Sequence, residues 1–394
     1  MDKINIAREI QELKNYLAYS KNIGFFFGAG TSCALGIPNI EQLTNDIELK
    51  LSGDSKTNFV KIKKDLLDKA SIEDILNHIR RIREITGEAA DKKYIDVSGK
   101  AAKKLDKEIC TKIYDIILEK EKVADLETTK KFFAWLSILN REFSKEIFTT
   151  NYDLIIEKSL ESSQIPYFDG FVGSYEPFFW QESIDKLVGK DDLTQNWIRL
   201  WKIHGSLSWF WKEDEKTKSP KIIRIGKVDK IEDEENELVI YPSKEKYDSS
   251  KKQPFVAYFD RLKNYLLCGE LLFVFTGYSF SDQHINEVIF NCLRQNNRLS
   301  VLIFFFKDEE VESLHKITSS YMNITVFGPK KAIINGNLGE WSFPDLEEFK
   351  KDKKPFEHFW SETDEKLLLG DFKALVNFLI TNSGKREAIE SIVK

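Results

Sequence analysis

Cysteine is scarce in this chain and poorly placed for cross-linking. Its 394 residues include four, Cys33, Cys110, Cys268 and Cys292, and no two form a CxxC pair, which argues against a disulfide framework and against a zinc ribbon. Long apolar runs are lacking too: Val301 to Phe306 falls far short of the roughly 20 residues a membrane-spanning helix needs. Residues 1–20, MDKINIAREIQELKNYLAYS, mix charge with apolar positions at helical spacing, which predicts an amphipathic helix and not a signal peptide. A soluble, cytoplasmic protein is expected. An excess of one charge is also missing, since 59 basic residues face 64 acidic ones for a net charge of -5. No global field then draws the chain to nucleic acid or an anionic membrane. There is no internal repeat. What is present is core-forming: 42% hydrophobic and 13% aromatic residues exclude general disorder, and the length suits either several domains or one large α/β domain with a helical insertion.

Along the chain, buried strands alternate with amphipathic helices. IGFFFG, spanning Asn22 to Gly28, reads as a buried strand ending in GAGTS, and a helix opens near Asn39 after Pro38. Residues 52–143 read as a charged helical insertion with a capping signal at Ser71, and 87–104 is its least ordered stretch by composition. Strands are predicted at Glu146 to Thr149, Leu200 to Ile203, Leu271 to Thr276, Ser300 to Phe306 and Asn323 to Phe327, the last of the sheet. Two β-like runs, Lys221 to Val228 and Glu237 to Tyr241, predict a hairpin over about 212–245 that stands away from the core. Beyond Gly328 a connector leads to helices near Pro355 to Trp360 and Glu365 to Asn382. The expected fold class is α/β, a Rossmann-like doubly wound parallel sheet with a helical insertion and a small C-terminal helical element. The expected domains are 1–330, the sheet with its insertions, and 331–394, a C-terminal helical cap or interaction element.

In such a sheet ligands sit at the carboxyl ends of strands, where all the polar turns of this chain fall. Gly28-Ala29-Gly30-Thr31-Ser32 reads either as a phosphate cradle or as a plain tight turn, since position 33 is Cys33 where a third glycine would complete the nucleotide fingerprint. In TTNYD, Asn151 carries both donor and acceptor and suits a ribose hydroxyl or a water, whereas Asp153 is open to a site role or to helix capping. Tyr152 reads as core or pocket wall. Of the five histidines, His204, at a strand end before Gly205-Ser206, is the candidate for general acid/base work. His78, His315 and His358 read as solvated or satisfied, and His284 as pocket or cap. Trp201, Trp209 and Trp211 either wall a cleft or pack in the core. Gly277 and Ser279 form a second glycine turn with hydroxyls, and Asp282 is helix cap or ribose partner.

The order GAGTS, GIP, TTNYD, HGS, TGYS over residues 20–330 resembles the sirtuin family, whose motifs run GAGxS, GIP, TQNxD, HG and GTS. The GYSFSDQHI form looks like the sirtuin-like branch found in bacterial antiphage defence proteins. The resemblance implies NAD as substrate, with Gly28, Ala29, Gly30 and Ser32 at the pyrophosphate, Asn151 and Asp153 at the nicotinamide ribose, His204 as base, and Gly277 and Ser279 at the adenosine half. Three departures bear on activity. Thr150 stands where the family motif TQNxD has glutamine. Asn39-Ile40-Glu41 follows GIP where deacylases have Asp-Phe-Arg, and Cys268 is the only cysteine between His204 and Gly277, where deacylases carry a four-cysteine zinc module. No metal is expected.

The resemblance therefore implies an NAD+ glycohydrolase that releases nicotinamide and ADP-ribose, acting in antiphage defence by NAD+ depletion. It also implies a homo-oligomer and a hexameric ATPase partner of the HerA type; the balanced charge and short apolar runs, for their part, lead us to expect no membrane contact and no direct nucleic-acid binding. The competing readings are a deacylase or ADP-ribosyltransferase, which need an acceptor as well as NAD, and a non-catalytic NAD or ADP-ribose sensor.

Overall fold

The computed structural model describes residues 2–66, 70–185, 197–213, 220–226, 237–240, 253–343 and 358–393. Its centre is a ten-stranded sheet. In spatial order the strands are Asp2–Asn5, Asn337–Ser342, Lys331–Ile334, Ile324–Phe327, Leu299–Phe304, Leu271–Thr276, Ile23–Phe27, Glu146–Thr149, Ile198–Lys202 and Tyr167–Phe168. All pairings from Ile324–Phe327 to Tyr167–Phe168 are parallel. The inner strands among these, such as Leu271–Thr276 and Ile23–Phe27, are buried on both faces, which is why they read as unbroken apolar runs such as LLFVFT and not as alternating ones. The fold is the expected mixed α/β class, a doubly wound sheet.

Period-2 alternation divides the Ile23–Phe27 strand between two cores. Phe25 and Phe27 face the layer containing the helix Leu126–Ser137, with ring centroids 5.0 and 5.1 Å from Phe132, and Phe27 also meets Phe372 of the C-terminal helix Phe372–Asn382 at 5.4 Å. Phe26 points the other way, onto Tyr278 at 4.6 Å and Phe275 at 5.2 Å. The strand order reverses beside Ile23–Phe27: later strands are added first on its Glu146 side and then on its Leu271 side. A reversal of that kind opens a crevice at the carboxyl ends.

The insertion is helical, with Gly53–Asp65, Ile72–Thr86, Gly99–Glu121 and Leu126–Ser137. Reciprocal capping boxes at Ser71 with Asp74 and at Asn39 with Gln42 start two helices where sequence placed them.

Several expectations are corrected. Residues 1–20 are not all helix: Asp2–Asn5 is an edge strand, and Asn5 then caps the helix Ile6–Tyr19 through the amides of Ala7 and Arg8. The sheet does not end at Phe327, because Lys331–Ile334 and Asn337–Ser342 continue it as an antiparallel hairpin about Asn335 and Gly336, both at positive φ. The stretch 87–104 is ordered, with a small hairpin of Lys93–Tyr94 and Val97–Ser98 turning through Ile95 and Asp96 at φ +45° and +61°. An isoleucine is unusual at positive φ, so the Ile95-Asp96 pair gave no hairpin signal in the sequence. The runs near 221 and 237 do not pair with each other. Pro220–Arg224 and Glu237–Ile240 both flank Gly205–Glu213, in a second sheet completed by Phe178–Phe179 and Phe171–Val172. The rest of the 212–245 expectation, and most of the helix expected near 355–360, lie outside the described residues. Trp360–Ser361 is a strand paired with Lys366–Leu367, and the last long helix starts only at Phe372, capped by Asp371.

Candidate functional site

The turns singled out in the sequence follow four neighbouring strands and so lie side by side along one edge of the sheet. Two hydrogen-bonded clusters and one backbone-to-backbone contact organise them.

The first cluster joins the GAGTS and TTNYD turns. The amide Nδ2 of Asn151 donates to the Gly28 carbonyl at 3.0 Å, to Thr31 Oγ1 at 3.0 Å and to Ser32 Oγ at 2.9 Å. Ser32 Oγ in turn donates to Asp153 Oδ2 at 2.7 Å. Ser32, Asn151 and Asp153 are all buried. With Nδ2 committed to the GAGTS turn, the carboxamide oxygen, an acceptor, is turned the other way. Asp153 combines both of its sequence readings, since its Oδ1 also accepts from the Ile155 amide at 3.2 Å. Thr31 is a member of this cluster that sequence reasoning passed over. Ala29 and Gly30 are exposed at the mouth.

A support that sequence reasoning also missed lies beneath. Lys202, fully buried, donates to the Asp153 carbonyl and pairs with Glu157 at 2.7 Å, tying the strand that leads to His204 onto the TTNYD turn and its helix. Burial pushes the Glu157 carboxyl above its usual range although Lys202 opposes this, and Glu157 Oε2 has no hydrogen-bond partner. Glu121 is raised as well, by burial and by the charge of Asp153, while it accepts from the Leu154 amide at 2.6 Å and from Lys158. The signal was a lysine inside the otherwise apolar run LWKI: a charge on a buried strand implies a partner.

The second cluster is His204 with Asp282. His204 Nε2 lies 3.2 Å from Asp282 Oδ2, and Asp282 Oδ1 caps the helix Gln283–Gln295 through the amides of His284 at 2.9 Å and Ile285 at 3.2 Å. Burial works to raise the Asp282 carboxyl, but the hydrogen bond and charge of His204 and the two amides outweigh it and hold it below the usual range. The His204 strand and the strand that leads to Asp282 have two strands between them, so this pair reaches across the carboxyl ends of both.

Gly277 meets the first glycine turn from behind. Its carbonyl accepts from the Gly30 amide at 2.8 Å, and a Cβ on Gly30 would lie 2.7 Å from the Gly277 Cα. Two glycine turns are thus packed backbone to backbone at the strand-order reversal. Ser279 sits at the exposed rim, 3.0 Å from Ser281. Trp201 and Trp209 are fully buried among Tyr258 and Phe171, so the core reading of those tryptophans holds; Trp201 Nε1 donates to Glu146 at 2.7 Å. Tyr152 packs against the core, and His315 lies 3.2 Å from the Gly336 carbonyl. Among the described residues no group of three or more His, Cys, Asp or Glu is arranged to hold a metal ion, and no helix is long and apolar enough to cross a membrane.

Solved structures that the chain matches include a Sir2 homolog in complex with NAD, at 14% identity and a TM-score of 0.37 over 75% of this chain and 81% of that one. An ADP-ribose complex of a Sir2 homologue variant matches at 14% identity and a TM-score of 0.38, over 79% of this chain and 99% of the other. No curated protein matches the chain. The family described as SIR2-like domain matches residues 145–327, which hold Asn151, Asp153, His204, Gly277 and Asp282 but begin after the GAGTS turn. Over that segment, Lys145 to Phe327, the chain is similar to the SIR2-like domain.

Proposed function

We propose that this chain is an NAD+ glycohydrolase, cleaving the N-glycosidic bond of NAD+ to release nicotinamide and ADP-ribose. The observation that carries the reading is the fixed carboxamide of Asn151. Its donor face is held by Gly28, Thr31 and Ser32, so it offers an acceptor to a ribose hydroxyl or a water in the same crevice as His204. Nicotinamide leaves as a neutral molecule carrying the electron pair of the broken C–N bond, while water supplies oxygen to the anomeric carbon. His204 takes the proton released by that water, directly or through a ribose hydroxyl, a contribution of about 10² to 10⁴ in rate. The turn of Gly28, Ala29, Gly30 and Ser32, with its exposed backbone at Ala29 and Gly30, is where the pyrophosphate fits; Asp153, bound to Ser32, lies on the nicotinamide ribose side, and Gly277 and Ser279 face the adenosine half. A single cysteine between His204 and Gly277, in place of a four-cysteine module, favours water over an acyl-lysine acceptor.

In the cell the reading makes the chain an effector of bacterial antiphage defence that depletes NAD+, as a homo-oligomer and with a HerA-type hexameric ATPase. The sirtuin-like GYSFSDQHI form supports this role by analogy. Nicotinamide release by the purified full chain, alone and with such an ATPase, tests it. Release that is abolished by His204→Ala and by Asn151→Ala, with both variants folded, is expected. Full activity in either variant, or NAD+ binding with no release under either condition, overturns it.

A further inference from the structure

We propose that Asp282 is a positioning residue that fixes the His204 ring with its proton on Nε2, leaving Nδ1 as the basic nitrogen. The role of that nitrogen rests on the reading of His204 as general base; the pairing itself rests on geometry. A carboxylate only accepts, so the 3.2 Å contact between Asp282 Oδ2 and His204 Nε2 requires the hydrogen on Nε2. Asp282 is itself held, because its other oxygen is bound by the first amides of the helix Gln283–Gln295 and cannot swing away without uncapping it.

The loop that delivers Asp282 is over-determined. Phe280 sits at φ +55°, a left-handed conformation a bulky side chain rarely adopts. Its carbonyl accepts from Asn286 Nδ2 at 2.7 Å, and its ring packs 4.8 Å from Tyr278 and 5.1 Å from Phe275. Tyr278 donates to Asn286 Oδ1 at 3.2 Å. Strain of this kind persists where the surroundings demand one shape. Here that shape carries a carboxylate across two strand ends onto an imidazole.

The other charged groups on the neighbouring turns are engaged elsewhere. Asp153 is bound to Ser32 and the Ile155 amide, Lys202 is bound to the Asp153 carbonyl and Glu157, and His284 is exposed in the first turn of the helix. When His204 takes a proton at Nδ1 the ring becomes an imidazolium, and the ionised Asp282 stabilises it without taking the proton.

The test uses the full chain with its histidines labelled with ¹⁵N. Nitrogen shifts report which ring nitrogen carries the proton, and His204→Gln identifies the His204 signal. Asp282→Asn keeps a capping oxygen, so the helix start survives while the carboxylate is lost. The expected result is an Nε2–H ring in the wild type and loss of that bias in Asp282→Asn, with an unchanged melting midpoint. Nicotinamide release by the variant should fall in kcat at least about tenfold with KM for NAD+ within about twofold. An Nδ1–H ring in the wild type, or an unchanged ring and kcat in the variant, overturns the proposal. A wild type that releases no nicotinamide overturns the hydrolase reading alone, because the ring measurement still decides the pair. If Asp282→Asn fails to fold, the wild-type ring decides it.

Discussion

Gly277 and Gly36 both have positive φ, +66° and +102°, but only Gly277 has backbone packed where its Cβ would be. A Cβ on Gly277 would lie 2.8 Å from the Gly30 carbonyl carbon and closer still to the Thr31 amide, whereas one on Gly36 meets nothing within 4 Å. Gly36→Ala should therefore cost about 1 kcal/mol, the left-handed penalty alone. Gly277→Ala adds a collision between two rigid turns and should cost roughly 2–4 kcal/mol. Chemical denaturation of the two variants checks this, and equal losses would show that the turns give way easily. At this scale the sequence was legible for identity more than for duty. Gly277 stands out as a turn glycine, yet its structural work is to let the GAGTS turn approach it. Asp282 stands out as a cap, which it is, but its contact with His204 crosses 78 positions of sequence and no local pattern records that.

Among elements, the tie between Ile198–Lys202 and the helix Ile155–Ser162 rests on the buried Lys202 and Glu157. Removing one partner of a buried pair strands the other, so Lys202→Met should cost about 3–5 kcal/mol above neutral pH. The loss should shrink in acid. Glu157 titrates higher in the fold than the roughly 4.3 of a free glutamate, so as pH falls between the two values the folded state binds more protons and regains stability relative to the unfolded chain. Lys202→Met/Glu157→Leu should recover most of the loss at any pH. Denaturation at pH 5 and pH 8 separates these outcomes, and a pH-independent loss would mean Glu157 keeps its charge unaided. Element by element, the strongly apolar strands were legible because burial on both faces leaves an unbroken run. The hairpin Lys331–Ile334 with Asn337–Ser342 was legible too, in Asn335-Gly336, the dipeptide preferred where both turn residues need positive φ, but a lysine-rich start made the segment read as a connector. The strand Gly205–Glu213 was missed because it begins inside the turn that holds His204.

For the whole molecule, the C-terminal helix is part of the core that supports the site strand. Phe372 meets Phe27 at 5.4 Å and Phe132 at 5.9 Å, joining the last long helix, the strand Ile23–Phe27 and the helical insertion in one cluster. Phe372→Ala should cost about 3–5 kcal/mol, as for other buried phenylalanines, and should lower the stability of the sheet together with the insertion in a single transition. A separate early transition confined to the C-terminal segment would count against that integration. Gly370 packs against the backbone of Phe305 and Phe306, so the segment before this helix also closes on the carboxyl end of the sheet.

By itself the sequence determined the class of the sheet, the strands buried on both faces, the helix starts at Ser71 and Asn39, and the residue types gathered at the strand ends. Those are local matters: apolar runs, capping hydroxyls and glycines act over a few residues, and their signals survive without a partner. Only the tertiary structure decided strand order, and with it which turns meet. It turned the Asn151 carboxamide by giving its donor to Gly28, Thr31 and Ser32, set Lys202 under Asp153, and brought Asp282 to His204. Each of these contacts joins residues at the carboxyl ends of different strands, and strand order in a parallel sheet is set by how the helices pack on its two faces, a property of the whole chain.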